Sequence, residues 1–276
     1  MSLLEKTVWM DKSISIYVGE LIEYDMREGG FSIIQNEKLL PEAMINKLLS
    51  MTKQERHEFI GKLAYNKEFK HIPKLVTEKF KPYRIKFGEL NDLKDEDIFY
   101  IRKDAICCKR YCYNTKINDF IEFREKKIYN SYMRIEPQYN DDGSNVKPHP
   151  IEFYWNATDN SLDISGIKDP HLDLHRYGMV VIITTFMSYL YSMDYDEALR
   201  YIVNVMNSYK KGHGYKEGCL YPEQCYRRFD GTAKFRIWQD GAVMEVDDIG
   251  EDMIPYCDKA YNYRNILIPL LNLVSK

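Results

Sequence analysis

No stretch of this sequence is apolar for long enough to cross a bilayer. The longest, Gly178–Tyr191, contains Thr and Ser. It falls short of the roughly 20 apolar residues a spanning helix needs, so it reads as a buried helix and no membrane association is expected. Cysteine is sparse: Cys107, Cys108, Cys112, Cys219, Cys225 and Cys257 form neither a C-x-x-C pair nor a regular framework. That pattern offers no disulfide scaffold and no zinc motif, and Cys107, Cys108 and Cys112 read as core filler. The opening MSLLEKTVWMDKS lacks a cationic segment leading into an apolar one, so no secretory signal is expected there and a cytoplasmic location with reduced thiols follows. A dominant charge is missing too. Lys and Arg total 39 against 42 Asp and Glu, which excludes a uniformly basic nucleic-acid coat. The composition is that of an ordinary folded chain and excludes collagen, coiled coil and intrinsic disorder. No nucleophile elbow, H-E-x-x-H, P-loop or dinucleotide fingerprint occurs.

What is present alternates strand and helix signals. Ser13–Tyr24 is rich in β-branched residues and predicts a strand ending at Asp25, before a Gly29-Gly30 turn. Pro41 opens a helical pattern, Thr52-x-x-Glu55 is a capping box, and Ile72 to about Phe87 completes a small helical group over 41–90. Ile98–Arg110, Asn118–Arg124 and Lys127–Ile135 read as strands. Residues 137–150 hold three prolines and a DDG and predict a linker. Beyond it come a short hairpin, a long helix over Leu174–Met193, and a helix opened by Asp194-x-x-Glu197 that runs to about Lys211. FRIW and AVMEV suggest strands, and Tyr261–Val274 suggests a helix. The organisation expected is therefore α+β: an antiparallel sheet with packed helices over 1–136, the linker, and a mostly helical domain over 151–276.

The near-neutral total conceals a gradient. Residues 53–86 carry ten Lys or Arg against four Glu, 102–134 carry nine against four acids, and 236–261 carry two against seven acids. The first half suits a polyanion; solvated helix faces explain the same charges without one. The acidic segment around Asp247–Asp252 could meet a protein partner. Two carboxylates stand out by context: Asp25 at a strand end, and Asp104 inside the apolar run IRKDAICC. A charge in a buried strand must be paired or bound to a cation. Two such aspartates on adjacent strands can hold a divalent ion through oxygen ligands; an edge position beside Arg102 or Lys103 is the plainer account. His171-x-Asp173-x-His175 could hold a metal but fits a loop or helix cap better.

The segment Asp25-Met26-Arg27-Glu28-Gly29-Gly30-Phe31-Ser32-Ile33-Ile34 resembles motif A of the family B DNA polymerases, D-x-x-S-L-Y-P-S-I-I. Lys103-Asp104-Ala105-Ile106 resembles the second half of that family's motif C, D-T-D-S-I. Glu125-Lys126-Lys127-Ile128-Tyr129 is similar to its K-K-x-Y motif, and Ser165-Gly166-Ile167-Lys168 with His175-Arg176-Tyr177 to the segment leading into its thumb. The resemblance implies a compact palm with a helical thumb, acting as a metal-dependent nucleotidyltransferase on a nucleic-acid 3′ end. Asp25 and Asp104 would hold Mg²⁺ or Mn²⁺. Arg56 and Lys62, from the basic helix between the motifs, would bind a nucleoside triphosphate. Lys126, Lys127 and Tyr129 would grip a primer-template or single strand.

The departures point elsewhere. Arg102 stands where the family's motif C has its first Asp, Gly30 stands where motif A has Tyr, and the fingers motif K-x-x-x-N-S-x-Y-G is absent. Two alternatives stand beside the enzyme: a catalytically degenerate palm serving as a nucleic-acid-binding subunit of a replication or transcription assembly, and a non-enzymatic scaffold or interaction protein.

Overall fold

A computed structural model describes residues 2–137, 150–166, 182–211, 226–227, 233–239, 242–246 and 266–275. The fold is α+β, as the alternation of strand and helix signals indicates. Among the described residues no helix is long and apolar enough to cross a membrane. The chain divides into two units, Met1–Ser13 with Glu20–Tyr129 and Ile14–Gly19 with Asn130–Lys276.

The first unit contains β1 (Val8–Met10), most of β2 (Ile16–Met26), β3 (Ile98–Arg102), β4 (Ala105–Cys108) and the first half of β5 (Phe123–Ile135), hydrogen-bonded in the order β1-β3-β4-β2-β5. Its helices are α1 (Gly29–Asn36), α2 (Glu42–Leu49), α3 (Lys53–Lys62) and α4 (Ile72–Leu90). Side chains alternate across a sheet, and here the alternation separates apolar from charged. Ile22, Tyr24, Ile101, Ile106 and Cys108 form one core with Phe31, Ile33 and Ile34 of α1 and Phe80 and Phe87 of α4. Each of these side chains is nearly or wholly removed from water, worth about 1.5–3 kcal/mol apiece. The other face carries Glu23, Asp25, Arg102, Arg124 and Lys126. Thr52 caps α3 as the capping box requires, its hydroxyl accepting from the Glu55 amide at 3.3 Å while Glu55 accepts from the Thr52 amide at 2.7 Å.

Three sequence expectations are corrected here. Ile98–Arg110 is not one strand but the hairpin β3–β4, closed at Lys103-Asp104, where Lys103 adopts the left-handed region at φ 51°. Asn118–Arg124 and Lys127–Ile135 are not separate: β5 runs unbroken through the charged Arg124–Lys127 stretch, because two of those residues are partnered across β2 rather than ending the strand. The Gly29-Gly30 turn is instead the start of α1.

The second unit holds the rest of β5 with β6 (Ile151–Trp155) and β7 (Leu162–Ser165) in antiparallel order. Met133, Ile135, Ile151, Phe153 and Trp155 pack in one core with α5 (182–191), α6 (Tyr195–Lys211) and α7 (Ile268–Val274). Asp194 caps α6 by accepting from the Glu197 amide at 3.1 Å, as the sequence predicts. β8 (Tyr226–Arg227), β9 (Ala233–Gln239) and β10 (Ala242–Val246) form a separate antiparallel sheet. Among the described residues this unit holds both strands and helices. The division between units falls inside β5, which lies beside β2 from the Arg27 amide on the Glu122 carbonyl to the Arg134 amide on the Ser15 carbonyl and pairs with β6 over Ser131–Ile135. Residues 138–149 lie outside the described residues, as do His171, Asp173, His175 and Asp247–Asp252.

Candidate functional site

The register of the first sheet places the charged face row by row. Asp25 pairs with Ala105, which pairs with Arg102; Glu23 pairs with Cys107, which pairs with Tyr100. Paired residues in an antiparallel sheet project to the same side. Arg124 and Lys126, two apart on β5, join the same side. Arg124 Nε donates to Asp25 Oδ1 at 2.8 Å, and Lys126 Nζ lies 2.9 Å from Glu23 Oε1 and 3.8 Å from Asp25 Oδ2. The Tyr100 hydroxyl donates to the other oxygen of Glu23, and the Arg102 guanidinium lies over the Tyr100 ring at 4.4 Å, a cation–π contact.

Asp104 enters from the hairpin turn. Its carbonyl accepts from the Met26 amide at 3.2 Å, which ties the turn to the end of β2 beside Asp25. Burial, opposed by the residue's own backbone amide and reinforced by the charge of Asp25, holds the Asp104 carboxyl above the ordinary carboxylate value. Lys126 and Lys103 pull in the opposite direction. Burial works against the charge on Lys126, but Glu23, Asp25 and Asp104 outweigh it and keep the ammonium above the ordinary lysine value. The hydrogen bond and charge of Asp25 do the same for Arg124. The structure therefore brings together Asp25, Asp104 and Lys126 of the sequence-predicted residues.

Gly29 opens α1 beside this turn, packed against Phe80. A Cβ there would lie 2.9 Å from Phe80 Cε1 and 3.5 Å from Asp104 Oδ2, so the first residue of α1 has no room for a side chain. Beneath the turn lies a residue the sequence reading missed. Arg84 of α4 is 1% exposed, and its two terminal nitrogens donate to the carbonyls of Lys103 and Lys6. Its Nε has no hydrogen-bond partner among the described residues. Burial lowers its pKa to about 10, with the Asp104 charge opposing the shift. On the chain Arg84 looks like one more cation in a basic helix; only the spacing Val76, Phe80, Arg84, Phe87, which sets it on the buried face, could have marked it. Glu23 stands outside the expected pair of acids as a further acid for the site, and its place two residues before Asp25 puts it on the same face.

The remaining candidates lie apart from this cluster. Arg56 packs against Phe31, pairs with Glu28 at 2.7 Å and donates to the Met51 carbonyl at 2.5 Å, so its guanidinium anchors α3 to α1 rather than standing open for a triphosphate. Lys62 is exposed at the end of α3, 3.9 Å from Glu58. Lys127 is exposed and, being adjacent to Lys126, projects to the other side of the strand. Tyr129 is buried and has no surface to offer a nucleic-acid strand. Alternation thus separates Lys126, engaged with acids, from Lys127 and Tyr129 on the other side of β5, where Lys127 is exposed and Tyr129 buried. A concavity lined by Leu4, Ile85, Gly88 and Leu93 includes none of the predicted residues.

The sequence matches the family described as bacteriophage PBS1 gene 130 protein over residues 1–276. The chain belongs to that family. The description names a phage gene product and no activity. No curated protein matches the sequence.

A divalent ion is the group the polymerase resemblance implies, and the donor set does not fit one. Among the described residues no group of three or more His, Cys, Asp or Glu is arranged to hold a metal. Both Asp25 oxygens face cations of the chain, and the ammonium of Lys126 is the shared neighbour of Glu23, Asp25 and Asp104. Oxygen ligands of Mg²⁺ or Ca²⁺ type must be free to close on the ion at about 2.0–2.6 Å.

Proposed function

We propose that this protein is a nucleic-acid-binding subunit of a phage replication or transcription assembly, built on a palm-like unit that has lost catalysis. The observation that carries the reading is the neutralisation of Asp25 on both oxygens by Arg124 and Lys126. A polymerase-type site needs carboxylates available to metal; here the chain supplies the countercharge itself. Arg102, where the resembled motif has an acid, is held over Tyr100 and adds a third cation to the face. The lysine-rich α3–α4 segment, most of whose lysines are exposed, supports a polyanionic ligand.

The test measures primer-template binding by fluorescence anisotropy and primer extension with Mg²⁺ or Mn²⁺, on wild type and Asp25→Asn. The reading expects salt-dependent binding that is indifferent to EDTA, and no incorporation. Incorporation lost in Asp25→Asn would reinstate the nucleotidyltransferase. Absence of any DNA or RNA binding at low salt would leave the scaffold reading.

A further inference from the structure

We propose that the α3–α4 connection is a stacking site for an unpaired base of single-stranded nucleic acid, with Tyr65 as the platform and Lys62, Lys67, Lys70 and Lys74 as the phosphate contacts. This rests on the nucleic-acid reading above and adds which strand state is bound and where.

The connection is built to present one ring. Leu63 is buried and Phe69 packs against the core, so the chain is pinned on both sides of Tyr65, which is nevertheless 90% exposed. Between them, Asn66 fixes the turn: its amide donates to the Leu63 carbonyl at 3.0 Å, and its side-chain oxygen accepts from the Glu68 and Phe69 amides at 2.9 and 3.3 Å. The Ile72 amide then closes on the Phe69 carbonyl at 2.9 Å and α4 begins. The turn fixes the backbone of Tyr65, so stacking a base has only the two side-chain torsions of the ring left to order.

The surroundings choose the ligand. Residues 62–74 carry four lysines against Glu68 alone. Lys67 and Lys70 make no ion pair among the described residues. Lys62 and Lys74 make only exposed contacts at 3.9 Å with Glu58 and Glu78 along their own helices, which a phosphate can replace. Base faces are available for stacking in a single strand and hidden in a duplex, and stacking on an aromatic is tolerant of sequence. Tyr113 supplies the contrast. It is equally exposed, but its ring is stacked on Tyr111 at 6.4 Å, and Tyr111 feels the charges of Glu20 and Glu125, an environment that repels phosphate.

The experiment measures anisotropy of labelled oligothymidylate, an abasic strand of equal length and a duplex, using the full chain as wild type, Tyr65→Ala, Tyr65→Phe, Tyr113→Ala and Lys67→Ala with Lys70→Ala. Tyr65→Ala should weaken oligothymidylate binding by about 5- to 150-fold, the range expected for loss of one stacked base. It should leave abasic and duplex binding unchanged, while Tyr65→Phe and Tyr113→Ala bind as wild type. The double lysine variant should flatten the single-strand salt dependence by about 1.4 logarithmic units per decade. Wild-type affinity in Tyr65→Ala, or an equal loss for abasic and duplex ligands, would overturn this site and leave the nucleic-acid reading intact. A wild type that binds none of the three would overturn both.

Discussion

Replacing Lys126 with methionine tests whether its ammonium serves as the cation of the acidic face. The perturbation keeps most of the aliphatic stem and removes the charge 2.9 Å from Glu23. Glu23 has a side chain only 9% exposed, whereas Lys126 is 44% exposed. Stranding one member of a fully buried pair costs about 3–5 kcal/mol, and an exposed pair is worth about 0–1 kcal/mol. A pair with one buried and one half-exposed member should fall between, so Lys126→Met is expected to lose about 1–3 kcal/mol in urea unfolding at neutral pH and low salt. Adding Glu23→Gln removes the stranded carboxylate. The double-mutant cycle should therefore show a coupling of about 1–2 kcal/mol between the two positions. A second arm follows from the same geometry. With the ammonium gone, Glu23, Asp25 and Asp104 lose the cation they share while Asp25 keeps Arg124, and 10 mM Mn²⁺ should stabilise the variant by about 1 kcal/mol more than wild type, corresponding to a millimolar site. Stability within about 0.5 kcal/mol of wild type, with no coupling to Glu23, would refute the ion pair. Equal stabilisation of wild type and variant by Mn²⁺ would refute the idea that Lys126 occupies the cation position.

The hairpin turn offers a backbone test: Lys103 holds a left-handed conformation that glycine adopts without strain, so Lys103→Gly should raise stability by about 0.5–1 kcal/mol in the same unfolding assay. Asp104 has a carboxyl raised above its unfolded value, so the folded state holds the extra proton between the two values and stability falls as pH rises through the folded pKa. Asp104→Asn should accordingly be more stable than wild type at pH 7, with the advantage vanishing below about pH 4, as read by unfolding at a series of pH values. Glu37 shows the opposite sign. Hydrogen bonds from Lys79 and Tyr83 lower its carboxyl, so its contribution is full above the ordinary glutamate value and is lost as pH falls through the folded pKa; Glu37→Gln should reduce stability at neutral pH and flatten the acid limb of the profile.

Local rules were legible where one turn of chain carries the whole signal. The capping boxes at Thr52 and Asp194 mark the starts of α3 and α6, the β-rich runs around Asn156–Ser161 mark the β6–β7 hairpin, and FRIW and AVMEV fall in β9 and β10. Cys107 and Cys108 lie on opposite faces, as strand alternation requires: Cys108 is in the helix-facing core, while Cys107 pairs with Glu23 on the other side. What failed depended on partners far along the chain. IRKDAICC reads as one apolar strand because nothing local announces that Lys103 will adopt a left-handed turn, in which its amide donates to the Thr7 carbonyl and its carbonyl accepts from Arg84. REKK reads as a break because its partners, Glu23 and Asp25, are a hundred residues away. β1 is three residues long and exists only through its pairing with β3. For the site, the two aspartates and Lys126 were visible as residue types. Their mutual neutralisation was not, since the same residues spell either a metal site or a set of ion pairs until their distances are known.

Arg84 is expected to engage late in folding. Its terminal nitrogens need the carbonyls of Lys6 and Lys103, and these come together only when β1 has crossed the sheet to pair Val8–Met10 with Tyr100–Arg102. That ladder closes a loop of some ninety residues, a contact whose entropic cost must be met before it returns any stability. A guanidinium cannot shed its water before both acceptors are in place, so its burial belongs after the rate-limiting barrier. In a chevron analysis, Arg84→Met should steepen neither limb and leave the refolding rate nearly unchanged while accelerating unfolding, a φ-value near zero. The amino-terminal strand would then act as a latch: the last element to engage and the first to release, with the Lys103-Asp104 turn losing its shape whenever the latch opens.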